Sequence, residues 1–122
     1  MSAFILTDLT ADRNADFSHS ETYDPFGVVV DVSLFTAQMM VRLLPDDIVP
    51  LLSISTTFSS GSGIVLTAQG VVTLQVAHAA LGTLYTALAG RSAFYDVLLV
   101  SPSLVQTRFM QGAWTIDPAV TY

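Results

Sequence analysis

The sequence has 122 residues, of which 52% are hydrophobic and only 11% are charged, with four arginines, no lysine and a formal net charge of −6. So acidic a chain lacks the cationic surface needed for sequence-independent binding to nucleic acid or to anionic lipid, and we expect no nucleic acid and no membrane as partner. The absence of cysteine excludes disulfides and thiolate chemistry.

Residues 1–23 are predicted to form an N-terminal arm, separate from a β-sandwich domain over residues 24–122. The segment from Phe4 to Leu6 is apolar enough for a short strand, and the remainder is polar and typical of a loop. Its acidic residues recur about every four positions, but a calcium loop needs denser oxygen ligands and usually a turn glycine. We therefore expect a solvated arm that leads into the first strand or lies over a neighbouring chain.

Alternation of apolar residues predicts several strands after the turn signature of residues 24–27, which has proline second and glycine fourth. Residues 35–44 alternate with the two-residue period of a strand. The adjacent Asp46 and Asp47 then indicate a turn, because an acid–base pair needs convergent carboxylates. Gly70 lies at the corner of a predicted hairpin. The other strands predicted in this part of the chain are residues 28–32, 49–58, 64–66 and 71–76.

One short helix is predicted near residues 77–89, where the composition becomes rich in alanine. Leu81, Leu84 and Leu88 are spaced by three or four residues, which places them on one helix face. Gly90 is well placed to end the helix. We expect the helix to close an open end of the sandwich.

The last third of the chain predicts a β-hairpin followed by a further extended segment. Tyr95, Val97 and Leu99 alternate with Asp96, Leu98 and Val100, and Ser101-Pro102-Ser103 supplies the turn. Gly112 interrupts the return strand and suggests a bulge or a close backbone approach, whereas Trp114 is expected in the core. Six to eight strands with one helix predict a mainly β fold, a single antiparallel immunoglobulin-like β-sandwich.

No combination of residues indicates catalysis, so we expect a protein that is not an enzyme and has no cofactor. The segment Ser59–Gly63 lacks the lysine of a phosphate-binding loop. His19 and His78 have neither cysteine nor a close carboxylate cluster to complete a metal site. No serine lies in the Gly-x-Ser-x-Gly context of a nucleophile elbow.

An ordered set of short motifs resembles a family of small tailed-bacteriophage proteins with one immunoglobulin-like sandwich, similar to the N-terminal domain of baseplate upper proteins. The likeness covers about residues 24–122. The family's usual Leu-Thr-Gly is replaced here by Val32-Ser33, and residues 1–23 fall outside its pattern. The matching segments are residues 24–27, 30–33, 36–42, 70–74, 89–91, 95–97, 107–112, 114–118 and 120–121.

The resemblance implies a virion structural protein, assembled in the host cytoplasm, that acts as an adaptor at the tail tip, the baseplate or a fibre attachment site. Its partners would then be other virion proteins, namely tail, baseplate or fibre chains. A capsid decoration or head-fibre anchoring role remains open. A third hypothesis is a carbohydrate-binding module of a receptor-binding device, although Tyr23, Tyr85, Trp114 and Tyr122 are scattered along the chain.

Protein interfaces are the expected mode of action. Soluble domains average about 25% charged residues, so the low charge here predicts a surface largely buried in a homo-oligomer or symmetric array; the alternative is a compact monomer from a slightly apolar proteome. Two regions are expected to carry the interface, the N-terminal arm and the outward positions of the hairpin. The predicted interface residues are Phe4, Ile5, Leu6, Phe17, Leu98, Val100 and Met110.

Overall fold

The computed structural model describes residues 5–12, 15–24, 27–44 and 46–117. The described part of the chain forms nine strands and one helix. In chain order they are β1 (Ile5–Leu6), β2 (Leu9–Asp12), β3 (Phe17–Thr22), β4 (Thr36–Arg42), β5 (Leu52–Ser55), β6 (Gly63–Leu66), β7 (Val71–Val76), α1 (His78–Leu88), β8 (Ala93–Val100) and β9 (Gln106–Asp117).

The strands form two sheets, a larger one of order β1-β9-β8-β4-β5, in which β2 also pairs with β9, and a smaller one of order β3-β7-β6. The short β1 and β2 run parallel to β9, and every other pairing is antiparallel. This division matches the variable type of immunoglobulin sandwich, in which an additional strand extends the sheet that contains the last hairpin. The predicted β-sandwich is therefore confirmed.

The core lies between the sheets and is built from alternate residues of the central strands. Val72, Leu74 and Val76 of β7 face Tyr95, Val97 and Leu99 of β8, and all six side chains are buried. Such alternation is what a strand with one buried face requires. Trp114 is fully buried in β9, as predicted, with its ring edge-on to the rings of Phe17 and Tyr95.

The helix closes one end of the sandwich, here called the helix end, and buries Leu81, Leu84 and Leu88 in the core. Its predicted position is confirmed. The N-cap residue Ala77 supplies no side-chain cap, and the chain ends the helix with a left-handed Ala89 (φ 51°) before Gly90. No helix within the described ranges is long and apolar enough to cross a membrane.

The N-terminal segment differs from the predicted loop-like arm. Over its described residues it contributes three strands, and Leu9 and Ala11 are buried beneath the edge of β9. The sequence does not predict this role, because two of the three inward-facing positions of β3 (FSHSET) are polar. His19 and Glu21 share the inward side of β3 and pair with each other (Nε2–Oε2 2.7 Å). The sandwich therefore begins well before residue 24.

A β-bulge in β9 corrects the prediction that Met110 faces outward. Val97 pairs with Met110 and the next residue, Leu98, pairs with Arg108, so Phe109 is an extra residue in β9. The bulge reverses the alternation, and both Phe109 and Met110 are buried.

Two other predicted strands differ from the structure. Residues 28–32 form no strand, and the strand predicted over residues 49–58 is confined to β5.

Candidate binding face

The outer face of the larger sheet is the candidate functional surface. Three strands contribute to it in cross-strand rows, each with one residue from β4, one from β8 and one from β9. From the helix end upward, the rows are Arg42–Phe94–Ala113, Met40–Asp96–Gln111, Gln38–Leu98–Arg108 and Thr36–Val100–Gln106. We call this surface the outer face.

The outer face is amphipathic. Phe94 is 45% exposed, and Met40, Leu98 and Val100 are partly exposed. Leu6 pairs in register with Gln111 and is 69% exposed, so it extends the same apolar surface across β1. Apolar side chains on the solvent-facing side of a sheet, where polar residues are the norm, mark a candidate interaction surface.

An open cleft of about 550 Å³ lies on the half of the outer face nearer the helix end. Its floor includes Gly112. Its walls combine an aromatic ring, charged groups and an amide. The lining side chains that matter for binding are Asp8, Arg42, Phe94, Asp96, Arg108 and Gln111.

The charged groups of the cleft differ in how far they are already satisfied. Arg42 lies 3.6 Å from the Asp96 carboxylate and donates a 2.7 Å hydrogen bond to the sulfur of Met40. The Asp8 carboxylate accepts a 3.0 Å hydrogen bond from the backbone N–H of Ala113. Arg108 has no ion pair or hydrogen bond within the described ranges, so its guanidinium is available for a ligand.

Tyr95 lies under the cleft and is inert as an acid at neutral pH. Its hydroxyl donates a 2.6 Å hydrogen bond to the backbone carbonyl of Thr7. Burial, with smaller contributions from the negative charges of Asp8 and Glu21, raises the pKa of Tyr95 well above its ordinary value. The cleft thus offers a guanidinium, an amide and an aromatic ring for binding.

Exposed apolar loops flank the outer face at both ends. At the helix end, the β4–β5 loop carries Ile48 and Val49, which are 92% and 76% exposed. At the opposite end, Leu34 and Leu104 are 80% and 81% exposed. Exposed apolar residues are therefore also present beyond the sheet in both strand directions.

The predicted interface residues separate into three groups. Leu6, Leu98 and Val100 lie on the outer face, together with the cleft. Ile5 and Phe17 are half-buried against the core, and Met110 is fully buried. Phe4 lies outside the described residues. The structure adds four residues that the sequence analysis did not single out, Phe94, Arg108, Gln111 and Ile48. The alternation of β8 places Phe94 on the same side as Leu98 and Val100, so the sequence was sufficient to identify it.

The histidines are paired with carboxylates but do not form a metal site. His78 at the start of α1 contacts Asp16 (Nδ1–Oδ1 2.8 Å), and His19 contacts Glu21 within β3 of the smaller sheet. Each pair supplies only two groups, and the described residues contain no cluster of three or more histidine or acidic side chains that could hold a metal ion.

Comparison with known proteins finds likeness to solved structures only. No model of a known protein family matches the chain, and no curated protein matches it. Among solved structures, the chain is similar to murine CRIg, with 15% sequence identity and a TM-score of 0.47 over 90% of this chain and 92% of that one.

Proposed function

We propose that this protein is a non-catalytic structural subunit of a tailed-bacteriophage particle, an adaptor at the tail tip, baseplate or fibre attachment site. It binds other virion chains through the outer face of its larger sheet. The observation that carries the proposal is the set of exposed or partly exposed apolar side chains Phe94, Leu98 and Val100 on the outer face, with further exposed apolar residues in the loops at both ends.

Burial of exposed apolar side chains by a partner supports the proposal. A stable protein interface covers about 800 Å² on each partner, and permanent interfaces are more apolar than transient ones. Burying a Val, Leu or Phe side chain completely contributes about 1.5–3 kcal/mol relative to leaving it exposed. Leu6, Phe94 and Ile48 alone expose a large share of their area. A partner that covers them gains stability that the free protein lacks.

The virion context comes from the ordered motif likeness over about residues 24–122. An adaptor of this kind is assembled with its partners in the host cytoplasm and needs no cofactor. A decoration or fibre-anchoring role on the head would use the same face. The two positions are distinguished by immunogold electron microscopy of intact particles with an antibody against this protein, because labelled tails favour the adaptor and labelled heads favour decoration.

Particle incorporation tests the proposal. Particles are assembled in infected cells that supply only one variant of this protein, and the purified particles are assayed for it by quantitative mass spectrometry. Leu98→Asp places a charge on the outer face and is expected to abolish incorporation. Ser18→Asp places the same charge on the exposed side of the smaller sheet and is expected to incorporate normally. Absence of the wild-type protein from particles would overturn the proposal.

A second candidate function is carbohydrate binding, and the cleft is the observation in its favour. An exposed aromatic ring beside an amide, a carboxylate and a guanidinium is suited to stacking on a sugar and hydrogen-bonding its hydroxyls. A glycan array with wild-type protein and Phe94→Ala tests it. Binding that Phe94→Ala abolishes would favour this candidate, and an array without signal would count against it.

A further inference from the structure

We infer that the cleft on the outer face is occupied by the β4–β5 loop of a second copy of this chain, with Asp46 of one copy paired to Arg108 of the other. This inference rests on the proposed function, because it names one partner of the outer face. It is carried by two complementary charges, those of Asp46 and Arg108, that form no ion pair with any residue the structure describes.

The β4–β5 loop contains an exposed turn around Asp46, here called the knob. The backbone N–H of Asp47 donates to the carbonyl of Leu44 (3.1 Å), and the Asp47 carboxylate in turn accepts from the N–H of Leu44 (3.1 Å). This reciprocal pair closes the turn and leaves Asp46 at its exposed tip. Asp46 has no ion pair or side-chain hydrogen bond to any described residue. Beside it, Ile48 is the most exposed large apolar side chain in the described ranges.

The cleft is complementary to that knob. Arg108 supplies a guanidinium that has no partner among the described residues, and the ring of Phe94 supplies an apolar wall. Asp8 accepts from the backbone N–H of Ala113 and Asp96 lies 3.6 Å from Arg42, and neither carboxylate forms an ion pair with Arg108 in the described residues. Asp46 therefore complements the charge of Arg108, and Ile48, two residues later, complements the apolar wall of Phe94.

The pairing is not formed within one chain in the described residues. Arg42, where β4 ends and the loop begins, lies in the row of Phe94, whereas Arg108 lies in the row of Leu98. Four residues separate these rows along β8, which is about 13 Å at 3.3 Å per residue. Asp46 lies in the loop beyond Arg42 and is exposed, so it is accessible to a second molecule.

A symmetric dimer satisfies both copies at once. In an isologous interface, each contact between two different residues occurs twice. The row Met40–Asp96–Gln111 lies between Arg108 and the loop, so a two-fold axis near this row exchanges the two ends of the contact. Such an arrangement forms two Asp46–Arg108 pairs and covers Phe94 and Ile48 of both copies.

Sedimentation equilibrium of the purified full chain tests the inference. The wild-type protein is expected to be in monomer–dimer equilibrium. Arg108→Asp and Asp46→Arg are each expected to raise the dissociation constant about tenfold or more, because each places like charges opposite one another. The doubly substituted protein reverses the pair and is expected to recover most of the affinity. Asp24→Arg, the same charge change on an exposed acid at the opposite end, is the matched control and leaves it unchanged.

Ile48→Ser is a second variant that alters no charge, and it is expected to weaken the dimer as well. Far-UV circular dichroism and a thermal melt of every variant establish that folding is intact. A wild-type protein that stays monomeric at all concentrations, or a double variant as weak as the single variants, would overturn the inference. Arg108→Asp protein that still enters particles would show that the proposed function survives such a failure.

Discussion

The backbone carbonyl of Thr7 lies against Gly112 so closely that a Cβ atom at position 112 would overlap the Thr7 oxygen. The same carbonyl accepts the hydroxyl of Tyr95, and the Thr7 N–H donates to the carbonyl of Gln111 (3.1 Å). These contacts fix the point at which the chain passes from β1 to β2 along the edge of β9. The N-terminal segment is thus attached at a site where only glycine fits.

Gly112→Ala is expected to destabilise the protein by about 1–3 kcal/mol, the usual cost of overpacking a close contact. Urea unfolding at neutral pH measures this. Gly82→Ala is the matched control, because a Cβ at residue 82 meets no atom within 4 Å and lies within α1. Alanine there is expected to stabilise the protein by about 0.5–1 kcal/mol. Equal effects at the two positions would contradict the described contact.

The buried hydroxyl of Tyr95 predicts a loss of stability in alkali. The pKa of Tyr95 is raised in the folded protein, so the unfolded chain loses this proton first, near its ordinary value of about 10. The stabilising contribution is complete below that pH and is lost as the pH rises toward the folded-state value. Unfolding free energies between about pH 8 and 12 are expected to fall more steeply for wild type than for Tyr95→Phe. Parallel curves would contradict the prediction.

Asp16 is expected to stabilise the start of α1 from outside the helix. Its carboxylate accepts hydrogen bonds from the backbone N–H and the ring of His78, both 2.8 Å, where Ala77 offers no cap. These bonds lower the pKa of Asp16, so its contribution is present above the ordinary value near 4 and is lost as the pH falls below it.

Asp16→Ala should therefore lower the thermal midpoint at pH 7 and should make the decline toward acid pH shallower. Asp24→Ala, which removes an exposed carboxylate with no side-chain contact to a described residue, serves as control. A thermal midpoint that is equally low for both variants would argue against the capping role.

Two phenylalanines on the neighbouring strands β8 and β9 should differ sharply in how much stability is lost when each is replaced by alanine. Phe109 is 1% exposed in the core and Phe94 is 45% exposed on the outer face. Phe109→Ala is expected to cost about 3–5 kcal/mol, whereas Phe94→Ala should change stability by about 0.5 kcal/mol or less. Denaturant unfolding of the two variants checks this. A large loss for Phe94→Ala would mean that its ring supports the fold rather than a partner.

Local patterns in the sequence were sufficient where neighbouring residues decide the structure. The alternation of Tyr95, Val97 and Leu99, the leucine spacing of the helix and the glycine-cornered hairpin at Gly70 all correspond to observed elements. Gly112 was predicted to mark a bulge or a close approach. The structure has the close approach there, and the bulge lies three residues earlier at Phe109.

Long-range pairings were beyond these patterns. The parallel pairing of Leu9 with Trp114 joins the two ends of the chain, and nothing in the local sequence of β2 indicates its partner. Met110 was assigned to the wrong face because one inserted residue reverses the alternation. For the candidate site, Leu98 and Val100 could be placed from parity, but the cleft depends on bringing Asp8, Arg42 and Arg108 together from three separate strands and loops.

Side-chain footprinting by hydroxyl radicals tests the central claim most directly, by comparing the free protein with the protein in assembled particles. We expect Phe94 and Leu98 to be strongly protected in the particle, whereas Val65, exposed on the smaller sheet, keeps its reactivity. Unchanged labelling of Phe94 and Leu98 together with protection of Val65 would contradict the assignment of the outer face as the interface.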